Sequence, residues 1–394
     1  MNKLSSLRIS EPNLPEYKKV EQRQDLVKDI CGDLPNLFSK NNLPESVGQK
    51  NCENWLGSIS IPVGVAGPLT LNFQNDSSEY YLPLATTEGA LVASISRGAK
   101  VISQAGGAGV IVKKMGMSRA PVFECQTGQQ ALETLDSIRE NITEIINVAE
   151  ATSNHLRYIN HHGWVRGKFL YIRFNFDTDQ AMGMNMVTIA SQAISRWIEK
   201  RYTGVSLTAL SSNVCTDKKD NFINSILGRG YWTQAEIVLS KEIIKSVLRT
   251  NPEELIKVHT QKNLIGSNLA GSFSQNAHVA NVLSAIYLAT GQDPAHVVEG
   301  SKAFLSLSHD QDGLYVSLTL PNINMGTVGG GTYLPAQSEA RFLIGQKELT
   351  TEELVAVTAG ACLAGELSLL ASFCTDDLAK AHQSLGRYKN INSK

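Results

Sequence analysis

The chain has 394 residues, with 36 basic against 37 acidic side chains and a net charge of −1. That balance excludes a general nucleic-acid binder, which needs a basic footprint. With 42% hydrophobic and 19% charged residues the chain can bury a core, which excludes disorder as its main state, and its length suggests two or three domains.

The opening MNKLSSLRISEPNLPEYKKV lacks the apolar run of a secretory signal. Residues 1 to about 45 read as a polar helical preamble, broken at Leu34-Pro35. From Ile59, IPVGVAGPL is apolar and punctuated by Gly and Pro, which predicts a strand and turn. TTEGALVASISRGAKVI predicts a helix from near Thr87 with Leu91, Ile95 and Val101 inward, ended by Gly106, Gly107 and Gly109. Between about 120 and 210 come a short strand (PVFEC), a long helix through Leu132–Ala149, a strand (KFLYIRFNF) and a helix from about Met182. The inward face of that last helix is predicted to be Met182, Met186, Ile189, Ala193 and Trp197. This order suggests a small α+β module inserted into a larger unit.

TDKKDNFINSILGRG predicts a helix capped by Thr216 or Asp217, with Phe222, Ile223 and Ile226 inward and Gly228 at its end. A further helical stretch covers residues 264–289, and a hairpin around Asp312-Gly313 leads into LYVSLTLP and GTVGGG. Leu354 to Phe373 is apolar enough to raise a membrane span, but Glu366 near its middle would be costly there. A tightly packed internal helix fits better, and the protein is expected to be soluble. The six cysteines are scattered without a CxxC pair, which argues against a disulfide framework or zinc site. Reduced thiols in the cytoplasm are the expectation.

Standard nucleotide and metal signatures are missing. No GxGxxG opens a helix after a strand, Gly266 to Gly271 has P-loop spacing but runs into Ser272, and there is no HExxH. His161-His162 reads as an exposed pair in a polar turn, and Asp310 and Asp312 echo a calcium loop too faintly to outweigh a hairpin. What remains are polar residues in apolar or small-residue contexts. Glu88 stands at a predicted helix start, where a capping or dipole role is the plain alternative. Lys218 and Lys219 stand at another, where the dipole disfavours cations. Asp293 precedes Pro294, as a turn-former does, and His382 follows a charged turn. Singly, none of them outweighs its plain reading.

Together they carry a resemblance. ENWLGSISIPVGVAGPL, TTEGALVAS, QAMGMNM, CTDKKDNFIN, NLIGSNLAGSFSQNAHVAN, ATGQDPAHVVEGS and GTVGGGT, in this order from about Asn54 to His382, closely resemble 3-hydroxy-3-methylglutaryl-coenzyme A reductase. The MGMNM and TDKK wording is similar to the eukaryotic–archaeal class. The resemblance implies an α+β fold in three parts: a helical N-terminal segment (1–45), a large substrate/CoA domain (46–120 and 210–394), and an inserted ferredoxin-like nicotinamide-cofactor domain (121–209). It further implies reduction of HMG-CoA to mevalonate and CoA by two hydrides from NADPH, with NADH possible. A homo-oligomer is implied too, at least a dimer with shared active sites, in the cytoplasm, with no metal, nucleic acid or membrane partner.

By position in the matching motifs, Glu88, Lys218, Asp293 and His382 resemble the catalytic set. Lys218 would face the oxyanion, Asp293 would hold Lys218, His382 would protonate departing CoA, and Glu88 would supply protons through Lys218. Arg119, Ser211, Asp217, Lys219, Lys262, His278 and Asn281 match substrate positions, with Asn281 expected to steady Lys218, and Arg97 and Lys100 match CoA-phosphate positions. Ser153, Asn154, Met182, Gly183, Met184, Asn185 and Arg387 match cofactor positions.

The chain departs from the family at Gln180, where an aspartate is usual, at Ala381, where a serine is, and at Asn154, where an arginine meets the 2′-phosphate. Two other functions stay open at this stage. One is NAD-dependent oxidation of mevalonate; the other is a catalytically impaired homologue that binds acyl-CoA.

Overall fold

The computed structural model describes residues 14, 16–35, 43–44, 46–52, 59–311 and 313–375. After helix α1 (Glu16–Cys31), strands β1 (Val63–Phe73) and β2 (Asp76–Ala85) form a hairpin. Its two turn residues, Gln74 and Asn75, both have positive φ, the geometry that matches strand twist. Helix α2 (Leu91–Gln104) leads to β3 (Ala108–Arg119). The next segment holds β4 (Val122–Glu124), α3 (Gly128–Glu140), α4 (Ile142–Glu150), β5 (Arg157–Arg166), β6 (Phe169–Asp177), α5 (Met184–Arg201) and β7 (Ser206–Ala209). Strand β8 (Gly230–Ser240), helix α6 (Val279–Thr290), the hairpin β9 (Phe304–Asp310) and β10 (Gly313–Ile323), and α7 (Thr351–Cys374) complete the frame.

The strands run in the order β7-β4-β6-β3-β8-β10-β9, with β1 beside β3, β2 beside β1 and β5 beside β6. Strand β3 is the link. Its first part pairs with β8 and its last residues, Met117–Arg119, pair with β6. The register shifts between Lys114 and Gly116, and Gly116 has φ +84. A Cβ there would lie 2.9 Å from the Phe176 carbonyl oxygen, so a glycine lets the strand pass from one partner to the next.

Among the described residues two large apolar cores result, beside a small cluster of Val27, Leu34 and Leu343. One gathers β1, β2, α2, β8, β10 and α6 around α7. The other runs from Met117 to Val205 under α3, α4 and α5. Helix α7 is apolar on every side, as a core helix is, and 94% of its apolar window is buried within the protein. Gly98 lets α2 reach it: a Cβ there would lie 1.8 Å from the Ala364 carbonyl oxygen. Thr350 and Glu353 close a capping box at its start.

Several boundaries differ from the sequence-based expectation. Helix α2 starts at Leu91, not near Thr87, because Ala90 is left-handed (φ 73). The helix expected through Leu132–Ala149 is two helices meeting at Asn141. Helix α5 buries Val187, Ala190, Ile194 and Ile198, while Ile189 is 57% exposed. The apolar face expected there was one residue out of phase. His161 and His162 lie within β5, not in a turn, and burial lowers both imidazoles below their ordinary value. Of the stretch 264–289, residues 270–278 are irregular between Ser267–Leu269 and α6.

Candidate active site

Asp293 follows α6 and opens the short turn Pro294–His296, where its carboxylate accepts the Ala295 N–H (3.0 Å). Lys218 Nζ lies 2.7 Å from its other oxygen. Burial pushes the Asp293 carboxyl up, but the hydrogen bonds from Lys218 and Ala295 and the nearby His296 outweigh it, and the group ends below its ordinary value. The turn-former is also an ion-pair partner.

The segment that presents Lys218 is a tight turn rather than the expected helix. Thr216 and Lys218 both have positive φ, and helix forms only over Ile223–Leu227, ending at Gly228 as expected. Lys218 therefore never meets a helix dipole. Its shape is imposed from beneath, because the backbone N–H of Lys218 donates to Glu299 (3.2 Å) and Thr216 Oγ1 donates to Asn224 (2.8 Å).

Below it lies a buried polar network that the sequence reading missed. Arg229, with no exposed side chain, reaches Glu299 (2.5 Å) and Asp217 (3.2 Å) and donates to Ser118 (2.9 Å). Glu299 also meets His296 Nδ1 at 2.7 Å. Asn224 links the buried Arg173 (2.9 Å) to Asn322 (2.9 Å). Burial and the Arg229 charge bring the Arg173 guanidinium down to about 10. A legible signal was the conjunction of Arg229, between two glycines, with Glu299 and His296, both in an apolar stretch. Asp217, His296 and Glu299 could converge on a cation, but the Arg229 guanidinium already fills that role.

Glu88 lies elsewhere. It sits in the loop before α2, its N–H donates to Thr86 Oγ1 (3.0 Å), and it caps no helix. Asn281, in the first turn of α6, donates to Glu88 at 3.3 Å within the chain. Both line an open cleft of about 230 Å³ with Thr87, Ser284 and Leu288. His278 precedes α6, and the buried Glu366 carboxylate accepts the N–H groups of Ala277 (2.6 Å) and His278 (2.7 Å).

The other expected substrate residues are distributed as follows. Arg119 pairs with Asp217 at 3.6 Å, Ser211 lies 3.1 Å from Cys215 Sγ, and Lys219 is exposed beside Lys218. Lys262 lies over the Phe373 ring, 5.4 Å from its centre. Arg97 is bound to Ser368 and Ser372 of α7, and Lys100 is exposed on α2.

Among the expected cofactor residues, Gly183 stands just before α5, and Met184 Sδ meets Arg229 (3.0 Å). Met182 is half-buried and Asn185 exposed. Ser153 accepts the His155 N–H, Asn154 is exposed, and His155 pairs with Asp179 at 2.9 Å, which ties that turn to the loop before α5. Gln180, the departure beside it, accepts the N–H groups of Thr327 and Thr351 and so joins the GTVGGG loop to the start of α7. His382, Ala381 and Arg387 lie outside the described residues.

The family profile described as hydroxymethylglutaryl-coenzyme A reductase matches residues 19–387. The chain is 45% identical over 375 residues to 3-hydroxy-3-methylglutaryl-coenzyme A reductase of Methanocaldococcus jannaschii, covering 93% of this chain and 92% of that one. It is 43% identical over 352 residues to the enzyme of the same name from Pyrococcus abyssi, covering 87% and 86%. A solved class II reductase of Streptococcus pneumoniae, described as bound to NADPH, shares the fold with a TM-score of 0.68 at 20% identity, covering 90% of this chain and 93% of that chain. The chain belongs to the hydroxymethylglutaryl-coenzyme A reductase family, on the eukaryotic–archaeal side.

Proposed function

We propose that this chain reduces 3-hydroxy-3-methylglutaryl-CoA to mevalonate and CoA with NADPH, and that the Lys218–Asp293 pair acts on the thioester carbonyl. Family membership makes the chain an oxidoreductase. The observation that carries the assignment of roles is the 2.7 Å ion pair, which aims a cation out of a rigid buried network.

Hydride addition puts a negative charge on the carbonyl oxygen, and a positioned ammonium is the group that stabilises it. Asp293 holds the Lys218 ammonium aimed. When the hemithioacetal collapses, departing CoA thiolate needs a proton, which suits an imidazolium at His382. Glu88 is the proton source for the second reduction. Arg119 and Lys219 suit the substrate's carboxylate.

The residues around α5 fit a nicotinamide dinucleotide. The first turn of α5 has no acidic side chain and no side-chain cap, so its N–H groups suit a phosphate. Met182, Gly183, Met184 and Asn185 would hold the cofactor there, with Ser153, Asn154 and Arg387 toward its 2′-phosphate. When bound, NADPH supplies hydride, twice per product because a thioester becomes an alcohol. Residues 121–209 are thus read as the cofactor domain, 46–120 with 210–394 as the substrate domain, and 1–45 as the helical N-terminal segment, in a cytoplasmic enzyme.

The acting unit is read as a homodimer. Glu88 and Asn281 stand at the start of α6 while Asp293 and Lys218 lie beyond its end, about 13 Å away at the rise of a helix. Two copies, each contributing one of these sets, would bring both to one carbonyl. Phe222 and Phe273, each 49% exposed with ring centres 5.2 Å apart, and Ile226, 71% exposed, give an apolar surface for that contact beside the Lys218 turn. The test is oxidation of NADPH and NADH, measured separately with HMG-CoA, with mass by sedimentation. Oxidation of neither cofactor would overturn the catalytic reading, and an active monomer would overturn the shared site.

A further inference from the structure

Resting on the reading of Lys218–Asp293 as the acting pair, we propose that His296 is a positioning residue that bridges Glu299 and Asp293 and so holds that pair in register. The imidazole is fully buried, and its Nδ1 lies 2.7 Å from Glu299 Oε1. Its Nε2 is buried without a hydrogen-bond partner, 3.8 Å from Asp293 Oδ2 and 3.9 Å from Asp217 Oδ1. Both ring nitrogens therefore lie near carboxylates, which only accept, so each can serve its carboxylate as a donor. A buried donor aimed at two acceptors and just out of reach is costly unless a small shift or a water completes it.

The arrangement ties both ends of Lys218 to one ring. Its ammonium is held by Asp293, its backbone N–H is held by Glu299, and His296 stands between those two carboxylates. Lys218 has left-handed backbone (φ 55), which persists only where its surroundings impose it. Arg229 binds the same oxygens that the ring faces, Glu299 Oε1 and Asp217 Oδ1. Asn324, following β10, lies 3.5 Å from His296 Nδ1. Tyr287 on α6 feels the charges of Glu299 and Asp293, and Arg173 feels that of Glu299. Asp217 is the carboxylate that competes for Nε2, and Arg229 and Arg119 already hold it.

The test compares His296→Gln and His296→Leu with the wild-type enzyme across the pH profile of kcat and KM for HMG-CoA, with thermal melts alongside. Gln keeps a donor in place of the imidazole; Leu keeps none. Removing the donor is expected to lower kcat by about tenfold or more with KM nearly unchanged. In both variants the acidic limb is expected to move to higher pH, because Asp293 loses a cation that favours its ionised form. Gln is expected to restore most of kcat without restoring the limb. A wild-type acidic limb in His296→Gln overturns the proposal, whatever the fate of His296→Leu. An effect confined to KM also overturns it. Lys218→Ala separates the two levels: if it keeps wild-type turnover, the reading of Lys218–Asp293 as the acting pair falls. If it is inactive while His296→Gln keeps the wild-type profile, only the positioning role falls.

Discussion

The carboxylate of Glu366, sealed inside α7, accepts the backbone N–H of His278 at 2.7 Å and of Ala277 at 2.6 Å. An acid in the middle of an apolar helix thus holds the stretch of chain that starts α6 and delivers Asn281 to Glu88. Burial raises the Glu366 carboxyl, while His278, the two N–H groups and Lys262 pull the other way. Glu366→Ala leaves two part-buried donors without partners, at about 1–3 kcal/mol each. The urea midpoint is expected to fall sharply with an unchanged m value, and Glu366→Gln, which keeps one acceptor oxygen, to fall less. An Ala variant as stable as wild type would refute the capping role.

Lys218→Ala should abolish thioester reduction in a folded protein. Lys218 is 39% exposed and contributes little to the core. Losing one oxyanion donor typically lowers kcat about 100- to 1,000-fold, and loss of a full charge should cost at least that. Steady-state kinetics and a melting curve decide it, and turnover within a few-fold of wild type would remove Lys218 from its role.

Asp293 links stability to pH. Its folded carboxyl lies below the ordinary 3.8, so the unfolded chain takes up this proton first as pH falls. The ion pair's contribution is present above about pH 4 and drains away as pH falls through the folded value. Asp293→Asn should therefore show a shallower loss of melting temperature between about pH 5 and pH 3 than wild type. Parallel curves would mean that Asp293 is not depressed by folding.

Asn154 bears on the cofactor. A 2′-phosphate is recognised chiefly by charge, and Asn154 brings none, so NADPH is expected to be favoured with a reduced margin. Asn154→Arg should widen the ratio of kcat/KM for NADPH over NADH, mainly through KM. A charge-assisted hydrogen bond of about 1.5–3 kcal/mol corresponds to about 10- to 150-fold. A wild-type enzyme that strongly prefers NADH would instead favour mevalonate oxidation.

Much of this protein was legible one residue at a time. The apolar run around Glu366 announced a core helix, because such a run with a lone acid has to bury the acid against donors. Gly228 announced the end of a helix, and the ordered motifs announced the family. The details of the site were not legible, for a physical reason. Helix starts near Thr87 and Thr216 were predicted from local capping patterns, yet a left-handed Ala90 and a Lys218 turn pinned from below displace both. The phase of α5 likewise depends on which face meets α4 and β3. The partners of Lys218, Arg229, Glu299 and His296 come from segments far apart in the chain, and no periodicity in one segment reports a contact with another. Local sequence determined which elements form and which residues bring chemistry. Only the tertiary structure decided that Asn281 meets Glu88, that Lys218 meets Asp293, and that a buried imidazole stands behind them, because those contacts are set by how whole elements pack.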